Sequence, residues 1–240
     1  MSIYSVFYEK LPCRIDVLLP SNQGKVVTCL NPYYMELLKN EAELYNKFDY
    51  ICSDGMLPII MNRLFKKDKS IRISFDMTSL AKEVFEYLST TKQGIYFIGS
   101  TENSINKFIK VISTSYPLLN IKGWRNGYIG GTYTDVAQAI VESQADVVVI
   151  GMGAPIQDEF AIFLKEYGFN GTIYTCGGFY HQTVERMNYY PDWINKYNLR
   201  TLYRLVHERY VWGRLFKYYP GFIVNYSRFL MITKNRDIQQ

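Results

Sequence analysis

The run Val147-Val148-Val149-Ile150-Gly151-Met152-Gly153-Ala154-Pro155-Ile156-Gln157-Asp158 constrains this chain more than any other stretch. Consecutive β-branched apolar residues suit a strand buried on both faces, and the glycines after them suit a tight turn where backbone can approach a ligand closely. Pro155, Gln157 and Asp158 suit the first turn of a helix, where free N–H groups attract anions. Such a strand-turn-helix belongs in an α/β sheet, and its turn is a place to hold a phosphorylated or nucleotide-linked substrate. The same residues also read as an ordinary strand-to-helix turn, because the third glycine of a dinucleotide fingerprint is absent.

The alternation recurs along the chain. Strands are expected at Arg14–Leu19, Lys25–Leu30, Tyr50–Ser53, Gly94–Ile98, Asn120–Lys122, Asp146–Ile150 and Thr172–Cys176. Helical periodicity fills the intervals, at about Pro32–Phe48, Met56–Phe65, Thr78–Ser89, Glu102–Ser115, Asp135–Ser143 and Gln157–Tyr167. This pattern predicts an α/β fold, a Rossmann-like parallel sheet with helices on both faces, whose ligands sit beyond the carboxyl ends of the strands.

Near Trp193 the character changes to a basic, aromatic, helical tail. From Lys196 onward nine Lys and Arg stand against Glu208 and Asp237, so the tail alone carries +7 and the rest of the chain −2. A division is therefore expected between a core at 1–192 and an appendage at 193–240 for membrane or acceptor contact. Basic residues interleaved with Trp, Tyr and Phe suit an anionic lipid surface. Nucleic acid is the competing partner, and a solvated helix with its rings packed on the core is the plain alternative. No run approaches the roughly eighteen apolar residues of a spanning helix, and the start lacks a signal-peptide pattern, so a cytoplasmic protein is expected. Cys13, Cys29, Cys52 and Cys176 lie far apart and read mostly as buried thiols; His181 and His207 are too few for a histidine-based metal cluster.

The strand ends supply the chemistry: Asn31, Asp54-Gly55, Gly99-Ser100, Gly151 to Asp158, and Gly177-Gly178. Asp54 is the obvious proton acceptor among the earlier ones. At a strand's carboxyl end it can reach into the cleft as a general base, or it can cap the helix that follows.

Taken in order, Asn31, Asp54-Gly55, Asp76, Phe97-Ile98-Gly99, Gly123, Gly127-Tyr128, Gly151 to Gln157, Gly177-Gly178, Pro191, Trp193, Leu202-Tyr203-Arg204-Leu205 and Glu208 form a set. On that set the chain resembles the WecG/TagA/CpsF glycosyltransferases (glycosyltransferase family 26) from about Val26 to Tyr218. The resemblance implies an inverting, metal-independent transfer without a cofactor. A sugar of the N-acetylhexosamine, hexose or uronic acid type passes from a UDP-sugar to a polyprenyl-diphosphate-linked acceptor at the inner face of the cell membrane, in capsule, exopolysaccharide or teichoic-acid synthesis. It implies Asp54 as the base and Asn31 and Gln157 in the donor pocket. Thr28, Gly55, Gly99, Gly151, Gly153, Pro155, Asp158, Gly177 and Gly178 complete the expected donor set. Arg204, Arg209 and Arg214 are the candidates for the acceptor diphosphate, since arginine's planar fork suits phosphate.

Departures from the family pattern accompany the likeness. Ile156 stands where lysine is usual, Asp158-Glu159 shortens the acid, Tyr180-His181 replaces Phe-Asp, and Tyr189-Tyr190-Pro191 replaces Arg-Ala-Pro. Cys29 occupies the usual threonine position, with Thr28 one place earlier. His181 reads either as a polar contact in the pocket or as a merely satisfied histidine. An inactive nucleotide-sugar-binding homologue acting as a partner subunit is the alternative function. A homo-oligomer is compatible with the aromatic tail, nucleic acid is not expected, and an NAD enzyme is disfavoured by the broken glycine pattern.

Overall fold

Short runs rich in β-branched and aromatic residues become the strands β1 Val26–Leu30, β2 Tyr50–Ser53, β3 Gly94–Gly99, β4 Asn120–Arg125, β5 Val147–Gly151 and β6 Thr172–Thr175. The computed structural model describes residues 1–21, 24–66, 69–130, 132–185, 194 and 210–238. Within these the strands form one sheet in the order β2-β1-β6-β5-β3-β4, parallel at every pairing. Helix α1 Ile3–Lys10 precedes the first strand. Parallel pairing requires crossovers, and helices supply them: α2 Pro32–Leu37, α3 Ala42–Asn46, α4 Met56–Lys66, α5 Leu80–Thr91, α6 Glu102–Ser115, α7 Tyr133–Glu142 and α8 Ile156–Glu166, while α9 Phe179–Glu185 follows the last strand. A further helix spans Tyr210–Ile238. The expected Rossmann-like arrangement is the observed one.

Both faces of the sheet are covered. Val26, Leu30, Val148, Ile150 and Ile173 face one apolar cluster; Val27, Phe97, Val147, Val149 and Tyr174 face the other. This is the two-period of strands acting inside continuous apolar runs. All strands point the same way, so their carboxyl ends gather on one edge.

A buried carboxylate ties the middle of the sheet to its helices. Asp158, at the start of α8, is fully buried. Its Oδ1 accepts from Thr28 Oγ1 at 2.8 Å and its Oδ2 from Tyr45 Oη at 2.9 Å. The hydroxyls of Thr28 and Thr175 lie 2.7 Å apart. One side chain thus joins β1, β6, α3 and α8. Burial pushes its pKa up to about 6 despite the opposing hydrogen bonds from Thr28, Tyr45 and Thr175.

The structure corrects three sequence readings. Arg14–Leu19 is not a strand but a 3-10 turn at Asp16–Leu18. Pro20 ends the run too early for a ladder, and Lys25 Nζ binds the Val17 and Leu19 carbonyls. The helix expected over Pro32–Phe48 is two, α2 and α3, broken at Leu38–Glu41. Buried Met35, Leu38, Ala42 and Tyr45 keep helical spacing across the break, so periodicity alone does not reveal it. Helix α1 was not expected at all. Ser2 caps it by accepting from the Ser5 N–H at 3.2 Å, and Ile3, Val6 and Phe7 are buried beneath it.

The C-terminal helix, Tyr210–Ile238, buries Phe222, Tyr226 and Leu230 in the same cluster as α1 and α2. Tyr226 Oη donates to Asn62 Oδ1 at 2.7 Å, and Asn225 donates to Glu36. Burial alone would raise the Glu36 carboxyl, but hydrogen bonds from Tyr4 and Asn225 and the nearby Lys39 ammonium hold it below its usual range. The expected boundary at 192/193 lies outside the described residues.

An aspartate whose folded pKa exceeds its unfolded value near 3.9 binds more protons in the native state, so its contribution to stability falls as pH rises. For Asp158 that window runs from about 4 up to about 6. Wild type should therefore lose roughly 2–3 kcal/mol relative to Asp158→Asn between pH 4 and pH 7, read by urea denaturation of both proteins.

Candidate functional site

At the carboxyl edge, Asn31 follows β1 and Asp54-Gly55 follow β2. The Asp54 N–H bonds the Leu30 carbonyl at 2.9 Å, so Asp54 and Asn31 stand side by side. Asn31 Oδ1 accepts from the Tyr34 N–H at 3.0 Å and caps α2, with Pro32 at its first position. Asp54 keeps 40% of its side chain exposed and pairs with Arg72, whose Nη2 lies 3.3 Å from its Oδ1.

Across the edge the glycine turns interlock. Gly99 adopts φ +149, and a Cβ there would stand 2.2 Å from the Gly151 carbonyl oxygen, so a side chain is excluded. The Ser100 N–H bonds the Gly151 carbonyl, and the Gly127 N–H bonds the Ser100 carbonyl. Gln157 Oε1 accepts from the Gly153 N–H at 3.2 Å and the Gly177 N–H at 3.1 Å. A single carboxamide oxygen therefore holds the turns after β5 and β6 together; Gly178 follows in the second of them.

The free N–H groups expected in the first turn of α8 are largely used. Those of Gln157, Asp158 and Glu159 bond the Gly153 and Pro155 carbonyls, because left-handed Gly153 (φ +80) curls the chain back. Ile156, the family's missing lysine, is half-exposed beside them. Beneath the glycines lies Tyr180, whose hydroxyl donates to the Val149 carbonyl at 2.6 Å. A Cβ at Gly99 or Gly151 would meet its ring at 2.7 Å. Cys29 and Cys52 are register partners, and burial pushes the Cys52 and Cys176 thiols up; Cys13 is exposed. Among the described residues no group of three His, Cys, Asp or Glu gathers where it could hold a metal ion.

The structure thus brings Asn31, Asp54, Gly55, Gly99, Gly151, Gly153, Pro155, Gln157, Gly177 and Gly178 to one edge. Thr28 and Asp158 lie beneath that edge, fully buried and bonded to each other, so they support the cleft rather than line it. His181 is turned outward on α9, 69% exposed, with Nε2 3.7 Å from Glu185. Arg214 stacks its guanidinium 4.4 Å from the ring centre of Tyr33, two residues after Asn31, and Tyr218 meets the same ring edge-on. The C-terminal helix therefore reaches the site at this end. Arg204 and Arg209 lie outside the described residues.

Sequence reasoning missed Arg72 and Tyr33. Arg72 sits between Ile71 and Ile73, an alternation that reads as structure, although Asp76 four residues on was singled out. Tyr33 gains its place only from a helix near the far end of the chain, which no local pattern shows.

Comparison with known proteins bears on this edge. Residues 1–236 match the Glycosyl transferase WecG/TagA/CpsF family. The chain is 36% identical over 203 residues to the Shigella boydii "UDP-Gal:alpha-D-GlcNAc-diphosphoundecaprenol beta-1,4-galactosyltransferase", covering 84% of this chain and 85% of that one. It is 24% identical over 196 residues to the Bacillus subtilis (strain 168) "N-acetylglucosaminyldiphosphoundecaprenol N-acetyl-beta-D-mannosaminyltransferase", covering 80% of this chain and 75% of that one. A match over nearly the whole chain, with a relative of such identity and coverage, makes this protein a member of the WecG/TagA/CpsF family of glycosyltransferases.

Proposed function

We propose that the protein moves a sugar from a UDP-sugar to a polyprenyl-diphosphate-linked N-acetylglucosamine, with inversion and without a metal. The observation that carries this reading is the half-open carboxylate of Asp54 beside Asn31, at the edge where every strand ends. In one displacement Asp54 removes the proton from the acceptor hydroxyl while that oxygen attacks the anomeric carbon. The UDP diphosphate leaves from the opposite face. The names of both relatives support a lipid-diphosphate acceptor, and the first supports a UDP-sugar donor.

Each remaining residue has a role in the proposal. Asn31 and the turns at Gly55, Gly99, Gly151, Gly153, Pro155, Gly177 and Gly178 line the donor cleft. Gln157 sets the spacing of the two glycine turns after β5 and β6. Thr28 and Asp158 hold the floor from below. Arg214, with Arg204 and Arg209, meets diphosphate charge, because arginine stays ionised and donates paired hydrogen bonds.

Acceptor and membrane are met through the C-terminal helix, at the inner face of the cell membrane. Trp212, Phe216, Ile223 and Val224 recur at helical spacing and stay exposed, and Ile60 and Leu64 of the neighbouring α4 are exposed too. Lys217 and Arg228 lie on the same helix, and basic residues beside an apolar strip suit anionic lipid. Among the described residues no helix is long and apolar enough to cross a membrane.

Transfer from a panel of radiolabelled UDP-sugars to undecaprenyl-diphosphate N-acetylglucosamine tests the reaction. Asp54→Asn should lower kcat by roughly 10²–10⁴ while still binding UDP. Nucleotide binding without transfer from any donor would instead identify an inactive homologue. UDP at 100 times its Kd should add about 2.7 kcal/mol of stability and raise the melting temperature, whereas NAD should leave it unchanged. Phe216→Glu should weaken co-sedimentation with anionic vesicles by about tenfold and leave the melting temperature within a degree or two, since that ring is exposed.

A further inference from the structure

Arg72 is placed by a frame rather than by a flexible surface loop. Its side chain, between α4 and α5, is only 12% exposed. Its Nη2 lies 2.6 Å from Ser74 Oγ, 3.3 Å from Asp54 Oδ1 and 3.6 Å from Asp76 Oδ2. The Ser74 hydroxyl donates to Asp76, and the Thr78 N–H and hydroxyl donate to the other Asp76 oxygen. Asp76 is thus itself immobilised behind the guanidinium.

The segment carrying Arg72 is pinned on both sides of it. The Ile73 N–H bonds the Ser53 carbonyl at 3.2 Å, next to Asp54 in the chain. Asn62 Nδ2 reaches Ser70 Oγ at 3.5 Å, and Asn62 Oδ1 in turn receives the Tyr226 hydroxyl. All three of these residues are buried. The C-terminal helix is therefore part of the frame that fixes Arg72.

We propose that Arg72 is the positioning residue for Asp54: it fixes the orientation of that carboxylate and keeps it ionised. This rests on the reading of Asp54 as the base. Among the described residues, the charged and titratable groups placed at Asp54 include Arg72, Asp76 across the guanidinium, and the Cys52 thiol, which burial pushes up. A cation next to a carboxylate favours its charged form, and a second carboxylate disfavours it. Removing Arg72 takes away the cation that lies between Asp54 and Asp76. Both effects then move the Asp54 pKa upward.

The test is the pH dependence of transfer in wild type, Arg72→Met, Arg72→Lys and Asp54→Asn. In Arg72→Met the acidic limb of kcat should move up by roughly one pH unit. Its kcat at neutral pH should fall about tenfold or more, with the KM for UDP-sugar held within about twofold. Arg72→Lys keeps the charge without the fork and should bring the limb part of the way back. Should Arg72→Met fail to fold, the limb of Arg72→Lys alone decides. A purely structural role would lower activity at all pH values and leave the limb in place, which would overturn the proposal. So would a raised KM with unchanged kcat, which would make Arg72 a substrate contact. The two readings separate through Asp54→Asn. If that variant keeps a wild-type acidic limb, the base assignment falls. If it is inactive while both Arg72 variants keep the wild-type limb, only the positioning role falls.

Discussion

One buried carboxylate holds together the elements on which the rest depends. Asp158 begins α8 and receives hydroxyls from Thr28 on β1 and Tyr45 on α3, while Thr175 on β6 completes the cluster. Three buried hydroxyls around one acid satisfy its oxygens in an environment that would otherwise disfavour the charge. Thr28 and Tyr45 lie more than a hundred residues from Asp158 and Thr175 ends β6, so the cluster forms only when the central strands are in register. It sits directly below the turns that Gln157, its chain neighbour, spans from above. Adjacent side chains of one helical turn therefore do different jobs: one fixes the sheet, the other fixes the cleft.

That division explains how a rigid core presents a chemically varied edge. A side chain at Gly99 would strike the Gly151 carbonyl, and one at Gly151 the Tyr180 ring and the Cys176 sulfur, so Tyr180 fills the space below both. Polar groups are then delivered by single residues at strand ends. Asn31 spends its side-chain oxygen capping α2 and keeps its NH₂ for other contacts. Asp54 is tied to Arg72 and keeps 40% of its side chain exposed. The arrangement suits an acceptor hydroxyl approaching from solvent and a donor lying over glycine backbone.

Much of this was legible in the sequence because strand ends are marked by composition. The Val147 to Gln157 run, the paired glycines at Gly177-Gly178 and Asp54-Gly55 each lie at the strand ends where they were expected. Local signals failed where the deciding partner was distant. Arg14–Leu19 has strand-like residues, but Lys25 captures its carbonyls and Pro20 ends it. The helical period through Met35, Leu38, Ala42 and Tyr45 survives a broken backbone. Asp158 looked like a cleft residue because it follows Gln157, yet Thr28 and Tyr45 draw it into the core. Arg72 was passed over because nothing in its neighbourhood shows that Asp54 and Asp76 flank it in space.

The C-terminal helix is fastened by Phe222, Tyr226 and Leu230, which share one core with α1, while Trp212, Phe216 and Val224 stay exposed on it. Anchoring on one side places the outer strip of the helix on the surface of this fold. The contacts that fasten the helix from inside are thus the same ones that hold its outer apolar residues in the open.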